Sequence, residues 1–258
     1  MITTIRLTDQ LYLFQDAADC FANLVIVEKK ALLYDTTCGM DDLKSAVEAV
    51  TSLPLLVLAS HGHFDHVGGS HQFETVYLSK KDRNILDSYD EALLNQWIRE
   101  MNPENDRMIS FGCDGWKHIK DLDFDMVDLG NLHGDIVSIP GHSEGSVGVY
   151  IREWKLLLSG DAFTPIMCLI FPNHGNKETQ LCTLEMINCL DFSYFLTSHS
   201  KKMYPKSLIQ RMIDCIYHSE GKRHHAYQYP KPPYSKGYFY LDSLEDEPVG
   251  LIVEEMEK

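Results

Sequence analysis

The chain has 258 residues, 44% of them hydrophobic and 24% charged, with a formal net charge of −15. This is the composition of a soluble globular protein long enough to bury a large core within one domain. The acidic balance repels phosphate backbones and excludes nucleic acid as a partner. No stretch approaches the roughly 18 apolar residues of a membrane helix, so no membrane partner is expected.

Seven cysteines stand at 20, 38, 113, 168, 182, 189 and 215, an odd count with no C-x-x-C pair. That spacing gives neither a disulfide framework nor a thiolate zinc site. With no apolar leader at the start, the expected compartment is the reducing cytoplasm.

The chain opens in strands. Residues 10–15 read as a short strand. Residues 21–28 and 31–35 read as two more, turned at Lys29-Lys30. Residues 41–50 carry apolar positions at helical spacing (Leu43, Ala46, Val47, Val50), with Asp41 as the expected N-cap. Residues 54–59 form a continuous apolar run, which suits a strand buried on both faces. A short strand at 75–78 leads into a polar helical stretch from about 80 to 101, broken by Asn102-Pro103-Glu104-Asn105-Asp106. The mixed region that follows contains Trp116, as the helical stretch contains Trp97, and suits a lid or substrate wall and a surface insertion equally.

Regular pattern returns at 135–140, a strand running into Gly141-His142. Residues 147–151 and 155–158 read as a hairpin running into Ser159-Gly160-Asp161. A helix is expected over 182–190, a strand over 192–197 ending at Ser198-His199, and an amphipathic helix over 205–217. Two last strands, 237–241 and 249–253, flank an acidic turn. There is no linker, repeat or low-complexity segment. The expectation is one domain over 1–258, with a helical insertion or lid around 80–130 and a C-terminal helix plus hairpin over 200–258.

The chemistry concentrates in Ser60-His61-Gly62-His63-Phe64-Asp65-His66-Val67-Gly68-Gly69. On a strand, alternate residues share a face, so His61 and His63 can point the same way, and Asp65 and His66 continue round the turn. At this chain's composition, a random H-x-H-x-D-H arises in roughly two of a thousand such chains, which makes the motif specific. Imidazole and carboxylate suit zinc, iron, manganese and their neighbours. Four potential ligands within six residues crowd one metal and fit two better. His142, Asp161 and His199 each follow a predicted strand, where a rigid scaffold presents a site.

The pattern resembles the metallo-β-lactamase-fold superfamily over roughly residues 10–200. The resemblance rests on His61-Gly-His63-Phe-Asp65-His66-Val-Gly-Gly, Pro140-Gly-His142-Ser-Glu-Gly-Ser-Val-Gly, Leu158-Ser-Gly-Asp161 and Thr197-Ser-His199. It extends to Phe21-Ala-Asn-Leu-Val-Ile-Val and Leu32-Leu-Tyr-Asp35. It implies an α/β fold, a four-layer αββα sandwich of two mixed β-sheets flanked by helices, with metals at one edge. It further implies two divalent metal ions, zinc first, with manganese or iron as alternatives. His61, His63 and His142 would hold one, Asp65, His66 and His199 the other, and Asp161 would bridge them.

The implied activity is hydrolysis of a small ester, thioester, lactone or phosphoester by a metal-bound hydroxide, with Asp65 orienting the nucleophile. The substrate is then a small molecule, and the sequence leaves the oligomeric state open. Thr164 stands where the family's lactonases carry tyrosine. The antibiotic-degrading members resemble the chain less well, so a true β-lactamase is not expected. Two alternatives share the scaffold: a mononuclear non-haem iron sulfur dioxygenase, and a metal-bound sensing or binding protein. Cys38, in the loop Asp35-Thr-Thr-Cys-Gly39 that departs from the family's pattern, and His174 are candidate pocket residues.

Overall fold

The computed structural model describes residues 1–101, 103, 116–231, 233–243 and 247–254. Two large sheets face each other. The first has seven strands in the order β1 (Thr3–Arg6), β2 (Leu11–Gln15), β3 (Phe21–Ile26), β4 (Ala31–Tyr34), β5 (Leu55–Leu58), β6 (Val76–Leu78) and β7 (Ile119–Asp121). It begins antiparallel and becomes parallel from β4 onward. The second has six strands, β8 (Met126–Asp128), β9 (His133–Ser138), β10 (Val147–Ile151), β11 (Leu156–Gly160), β13 (Tyr194–Thr197) and β14 (Tyr204–Pro205), ordered β14-β13-β11-β10-β9-β8.

Period-two alternation decides which residues meet between the sheets. In β2, Leu11 and Leu13 point inward while Tyr12 and Phe14 point out; in β4, Leu32 and Tyr34 point inward while Ala31 and Leu33 point out. The inward set packs against Val127, Val147, Val149, Leu156, Leu158 and Leu196 of the second sheet. The run at 54–59 is accordingly split: Leu58 faces the other sheet, and Val57 and Ala59 face the helical layer.

Helices cover both outer faces. On the first sheet lie α1 (Leu43–Glu48), α2 (Phe64–Val67) and α3 (Arg83–Asp87), through Leu43, Val47, Val67 and Leu86. On the second lie α5 (Lys177–Asn188) and α6 (Ser207–Ser219), through Leu184, Ile187, Ile209 and Met212. The helix α4 (Glu91–Met101) packs Leu94 and Ile98 onto Phe64 of α2. The four-layer αββα expectation therefore holds.

Several details differ from the sequence reading. Asp42, not Asp41, caps α1, its carboxylate accepting from the Ser45 amide at 3.0 Å. Asp41 is buried and takes the N-terminal ammonium at 2.6 Å. The helix expected over 182–190 begins at Lys177, because the Asn176 side chain accepts from the Thr179 amide at 2.8 Å. The stretch expected as one helix from 80 to 101 is a 3-10 turn (Lys80–Asp82) followed by α3 and, beyond Ser88-Tyr89-Asp90, α4. Most of the break expected at 102–106 lies outside the described residues, as do Cys113 and most of the acidic turn.

The 80–130 segment is also not helical throughout. Its last part supplies β7 and β8, the edge strands that pass the chain from one sheet to the other. At the C-terminus the expected hairpin is part of a third, four-stranded sheet. There β15 (His225–Gln228), β16 (Lys236–Ser243) and β17 (Val249–Val253) join β12 (Ile166–Leu169) in the order β12-β17-β16-β15. No helix among the described residues is long and apolar enough to cross a membrane.

The topology gathers chain ends at one edge. β4 and β5 run parallel. β9 and β11 are both antiparallel to β10, and β13 is parallel to β11, so β9, β11 and β13 share a direction. Five strand ends carrying Asp35, His61, His142, Asp161 and His199 thus open side by side. Hydrogen bonds close that edge across the sheets: the Val147 amide donates to the Ser60 carbonyl at 2.8 Å and the Tyr34 hydroxyl to the Val147 carbonyl at 2.7 Å. Gly160 sits here at φ +53°, where a Cβ would stand 2.5 Å from that of Ser60. Only glycine meets both demands.

Candidate metal centre

All seven residues expected as ligands converge, and they fall into two groups. His61, His63 and His142 form one; Asp65, His66, Asp161 and His199 form the other, with one potential ligand atom from each residue within 4.8 Å of the rest of its group.

The three-histidine group is fixed by what its outer nitrogens touch. His63 Nε2 donates to the Pro172 carbonyl at 2.9 Å, and His142 Nδ1 donates to the Cys168 carbonyl at 2.9 Å. A carbonyl can only accept, so the proton sits on those nitrogens and the other nitrogen of each neutral ring is bare. The Ser60 hydroxyl donates to Asp35 at 3.0 Å and so accepts from His61 Nδ1 at 2.9 Å. The bare atoms, His61 Nε2, His63 Nδ1 and His142 Nε2, face each other at 2.9 and 3.1 Å.

None of the three has a proton to give the next, and burial opposes adding one. Desolvation holds all three imidazoles below their usual pKa, His142 down to about 3, with the neighbouring histidines adding to the effect. Three bare lone pairs aimed at a common point in a buried site repel one another unless a cation lies between them. The donor set fits a metal ion on this ground.

The second group differs in charge. Burial works against ionisation of Asp65 and Asp161, but His66 and His199 outweigh it and hold both carboxyls well below the usual range. Burial likewise opposes protonation of His66 and His199, and the aspartates overcome it, Asp65 first for His66 and Asp161 first for His199. The His199 Nε2 stands 3.1 Å from Asp161 Oδ2 and 3.2 Å from Asp65 Oδ2. Asp161 Oδ2 is 3.5 Å from His66 Nε2 and 3.8 Å from His142 Nε2, so one oxygen faces both groups. His66 Nε2 and Asp161 Oδ1 are buried and make no hydrogen bond, so a metal ion that displaced the His66 proton would find an atom of each available.

Asp35 supports this group from behind. Its fully buried carboxylate accepts from His66 Nδ1 at 2.8 Å, the Ser60 amide at 2.6 Å and the Ser198 hydroxyl at 2.6 Å, besides the Ser60 hydroxyl. Partners of this kind orient a ligating imidazole and fix its tautomer. His199 Nδ1 donates to the Asp19 carbonyl at 3.3 Å.

The centre opens on the side of Asp65 and His199, whose side chains are 33% and 32% exposed, against 1% for His66. A cavity of about 480 Å³ begins there. Phe64, Tyr89 and Trp97 line one wall; Ile166, Phe171, Tyr229 and Ile252 line the other. Among the described residues that line it, Lys231 is the single lysine or arginine. The Phe171 ring packs 5.7 Å from both His63 and His142 and 4.9 Å from Tyr229.

The two candidate pocket residues do not line this cavity. Cys38 is fully buried behind it, its sulfur 3.4 Å from that of Cys20, and Cys20 takes the lining position. His174 turns to Glu254 at 3.2 Å, beside a separate shallow hollow. Trp97 reaches the cavity, and so do Tyr227 and Tyr229, whereas Trp116 packs behind it and donates its indole N–H to the Leu86 carbonyl at 3.1 Å. Sequence reasoning missed Tyr89, Phe171 and Cys20, which no local spacing marks.

A four-layer sandwich with five histidines and two aspartates gathered where its strands end defines a class, the metallo-β-lactamase fold with a candidate metal centre. The sequence profile of the metallo-beta-lactamase superfamily matches residues 16–199, and the chain belongs to that superfamily. It is 27% identical over 139 residues to the acyl-coenzyme A thioesterase MBLAC2 of Homo sapiens, covering 50% of this chain and 48% of that protein. It is 24% identical over 189 residues to the probable metallo-hydrolase YqgX of Bacillus subtilis, covering 69% and 83%. The chain spans about half the length of the MBLAC2 relatives it matches. Among solved structures, a metallo-beta-lactamase from Pontibacter korlensis superposes with a TM-score of 0.60 at 13% identity, covering 84% of this chain and 99% of that one. That likeness is one of fold.

Proposed function

We propose that the protein is a dinuclear metal-dependent hydrolase that cleaves a small ester, thioester or lactone with an apolar acyl part. The observation that carries this reading is the pair of donor groups sharing one carboxylate: bare nitrogens on one side, paired acids and imidazoles on the other, and Asp161 Oδ2 facing both. His61, His63 and His142 would hold one ion and Asp65, His66 and His199 the other, with Asp161 between them. Divalent ions there, zinc first and manganese or iron as alternatives, supply a water acidic enough to ionise near neutral pH and a Lewis acid for the scissile carbonyl.

The protein's own groups do the rest. Pro172, Cys168 and Ser60 hold the first three imidazoles in the tautomers that present bare nitrogens. Asp65, at the cavity mouth, accepts a hydrogen bond from the attacking water and orients it toward the substrate. The aromatic walls bind the acyl group and exclude bulk water. Outside the proposed ligands the lining carries one aspartate, Asp19, and one lysine, Lys231, and is otherwise mainly apolar and aromatic, which favours an ester or thioester with an apolar acyl part over a polyanionic phosphoester. The thioesterase named among the relatives supports the same choice. Tyr89 and Trp97 make the segment after residue 80 part of the substrate wall.

The test is metal analysis of the purified protein beside turnover of a panel of acyl thioesters, esters, lactones and phosphodiesters. Two zinc or manganese ions per chain with ester or thioester cleavage is the expected result. One iron with oxygen consumption would establish the dioxygenase instead, and bound metal without turnover would establish a sensing or binding protein.

A further inference from the structure

Asp82 is fully buried and stands at the N-cap position of α3. An aspartate there ordinarily accepts from the first amides of its own helix. This one makes no such bond. Its four hydrogen bonds go elsewhere. Oδ2 accepts from the Gly62 amide at 3.0 Å and the Ser143 hydroxyl at 2.7 Å; Oδ1 accepts from the Gly145 amide at 2.8 Å and the Asn173 side-chain N–H at 2.8 Å.

These partners share one property. Gly62 lies between His61 and His63. Ser143 follows His142, and Gly145 lies in the same turn. Asn173 follows Pro172, whose carbonyl takes the proton of His63 Nε2. One carboxylate thus ties together the loop of each imidazole in the first group and the carbonyl that sets one of their tautomers. The approach is close: a Cβ at Gly145 would stand 2.5 Å from the Asp82 carboxyl carbon. All four donors are neutral, so the buried carboxylate is held by directed hydrogen bonds alone, which have sharp geometry. Asp82 touches none of the ligand nitrogens; it acts through the backbone that carries them.

We propose that Asp82 is a positioning residue for the three-histidine half of the centre, clamping the three loops so that the bare nitrogens converge. The proposal rests on the two-metal reading. Supporting partners of ligating groups typically contribute about 10- to 100-fold in metal affinity. Asp82→Asn keeps the shape but turns an N–H toward two existing donors. Ser143→Ala and Asn173→Ala each remove one arm and leave the carboxylate in place.

The experiment titrates metal-free wild type and these three variants with cobalt(II), reading the visible absorption of each bound equivalent. His142→Ala and His199→Ala serve as references that mark the spectrum lost with each half. The expected result is two equivalents in the wild type. In Asp82→Asn the equivalent that His142→Ala lacks is weakened about 10- to 100-fold and the other is unchanged. Each single-arm variant shifts the same equivalent by less. Equal weakening of both equivalents, or of neither, in a folded variant overturns the assignment; if Asp82→Asn does not fold, the single-arm variants decide by the same criterion. A wild type that takes up fewer than two equivalents overturns the two-metal reading and this assignment with it, and is recognised because the failure precedes any substitution.

Discussion

Replacing Asp35 with asparagine tests whether the buried support behind His66 stabilises the fold as its geometry demands. Oδ2 accepts from three groups, His66 Nδ1, the Ser60 hydroxyl and the Ser198 hydroxyl, whereas Oδ1 accepts only from the Ser60 amide. Asparagine therefore places its oxygen where Oδ2 stands and its amide nitrogen at the Oδ1 position. The left-handed backbone of residue 35, at φ +71°, is one that asparagine adopts readily, so the substitution adds little strain. What remains is one buried N–H set against another across a contact of 2.6 Å in the native protein, together with the loss of a negative charge beside His66. A hydrogen bond to a charged group contributes about 1.5–3 kcal/mol, and a stranded buried donor costs about 1–3 kcal/mol. These overlap, because the bond is lost as the donor is stranded, so the expected destabilisation is about 2–4 kcal/mol. A domain holds about 5–15 kcal/mol in total, so the variant still folds. Urea unfolding in the presence of a chelator reads this without any metal contribution. A change under about 0.5 kcal/mol would refute the reasoning, since it would mean that the Ser60 amide finds another partner at no cost.

Two further outcomes follow from the site. Asp161→Ala should lose at least one bound metal and lower turnover by about 100-fold or more, because its Oδ2 is the atom shared by both groups; a variant that kept its full metal content and activity would show that the centre is assigned wrongly. Trp97→Ala should raise KM for long apolar acyl substrates by about 10- to 100-fold with kcat nearly unchanged, from about 1.5–3 kcal/mol of lost apolar contact. An unchanged KM across a series of acyl lengths would remove Trp97 from the substrate wall.

The proposed ligand set was legible as a set of candidates because its members announce themselves locally. His61 to His66 form a dense motif, and His142, Asp161 and His199 each follow an apolar run that reads as a strand. The strands β2 to β5 were legible as apolar runs, but β3 and β4 are buried almost throughout, so only the packed sheets show which of their side chains face inward. Other features depended on contacts far apart in the chain. β12 is only four residues long, and it becomes a strand by pairing with β17, with Ile166 opposite Gly250. A short segment whose partner lies more than eighty residues away carries no periodic signal of its own. β7 likewise becomes a strand by pairing with β6, more than forty residues back, whereas β8 pairs locally with β9 and is simply too short, at three residues, to show a period.

What the sequence by itself determined, then, is which side chains are candidates to carry the chemistry and the class of scaffold that presents them, since both follow from residue type and short-range spacing. Only the tertiary structure decided which nitrogen of His63 and of His142 is bare, because the proton is placed by Pro172 and Cys168, both distant in sequence from the histidine they meet. It also decided between residues of the same type. Cys20 faces the cavity and Cys38 does not; Asp82, one aspartate in a polar stretch, is the one that ties three loops together. A side chain's direction and its partners are properties of the closed fold, and no local pattern encodes them.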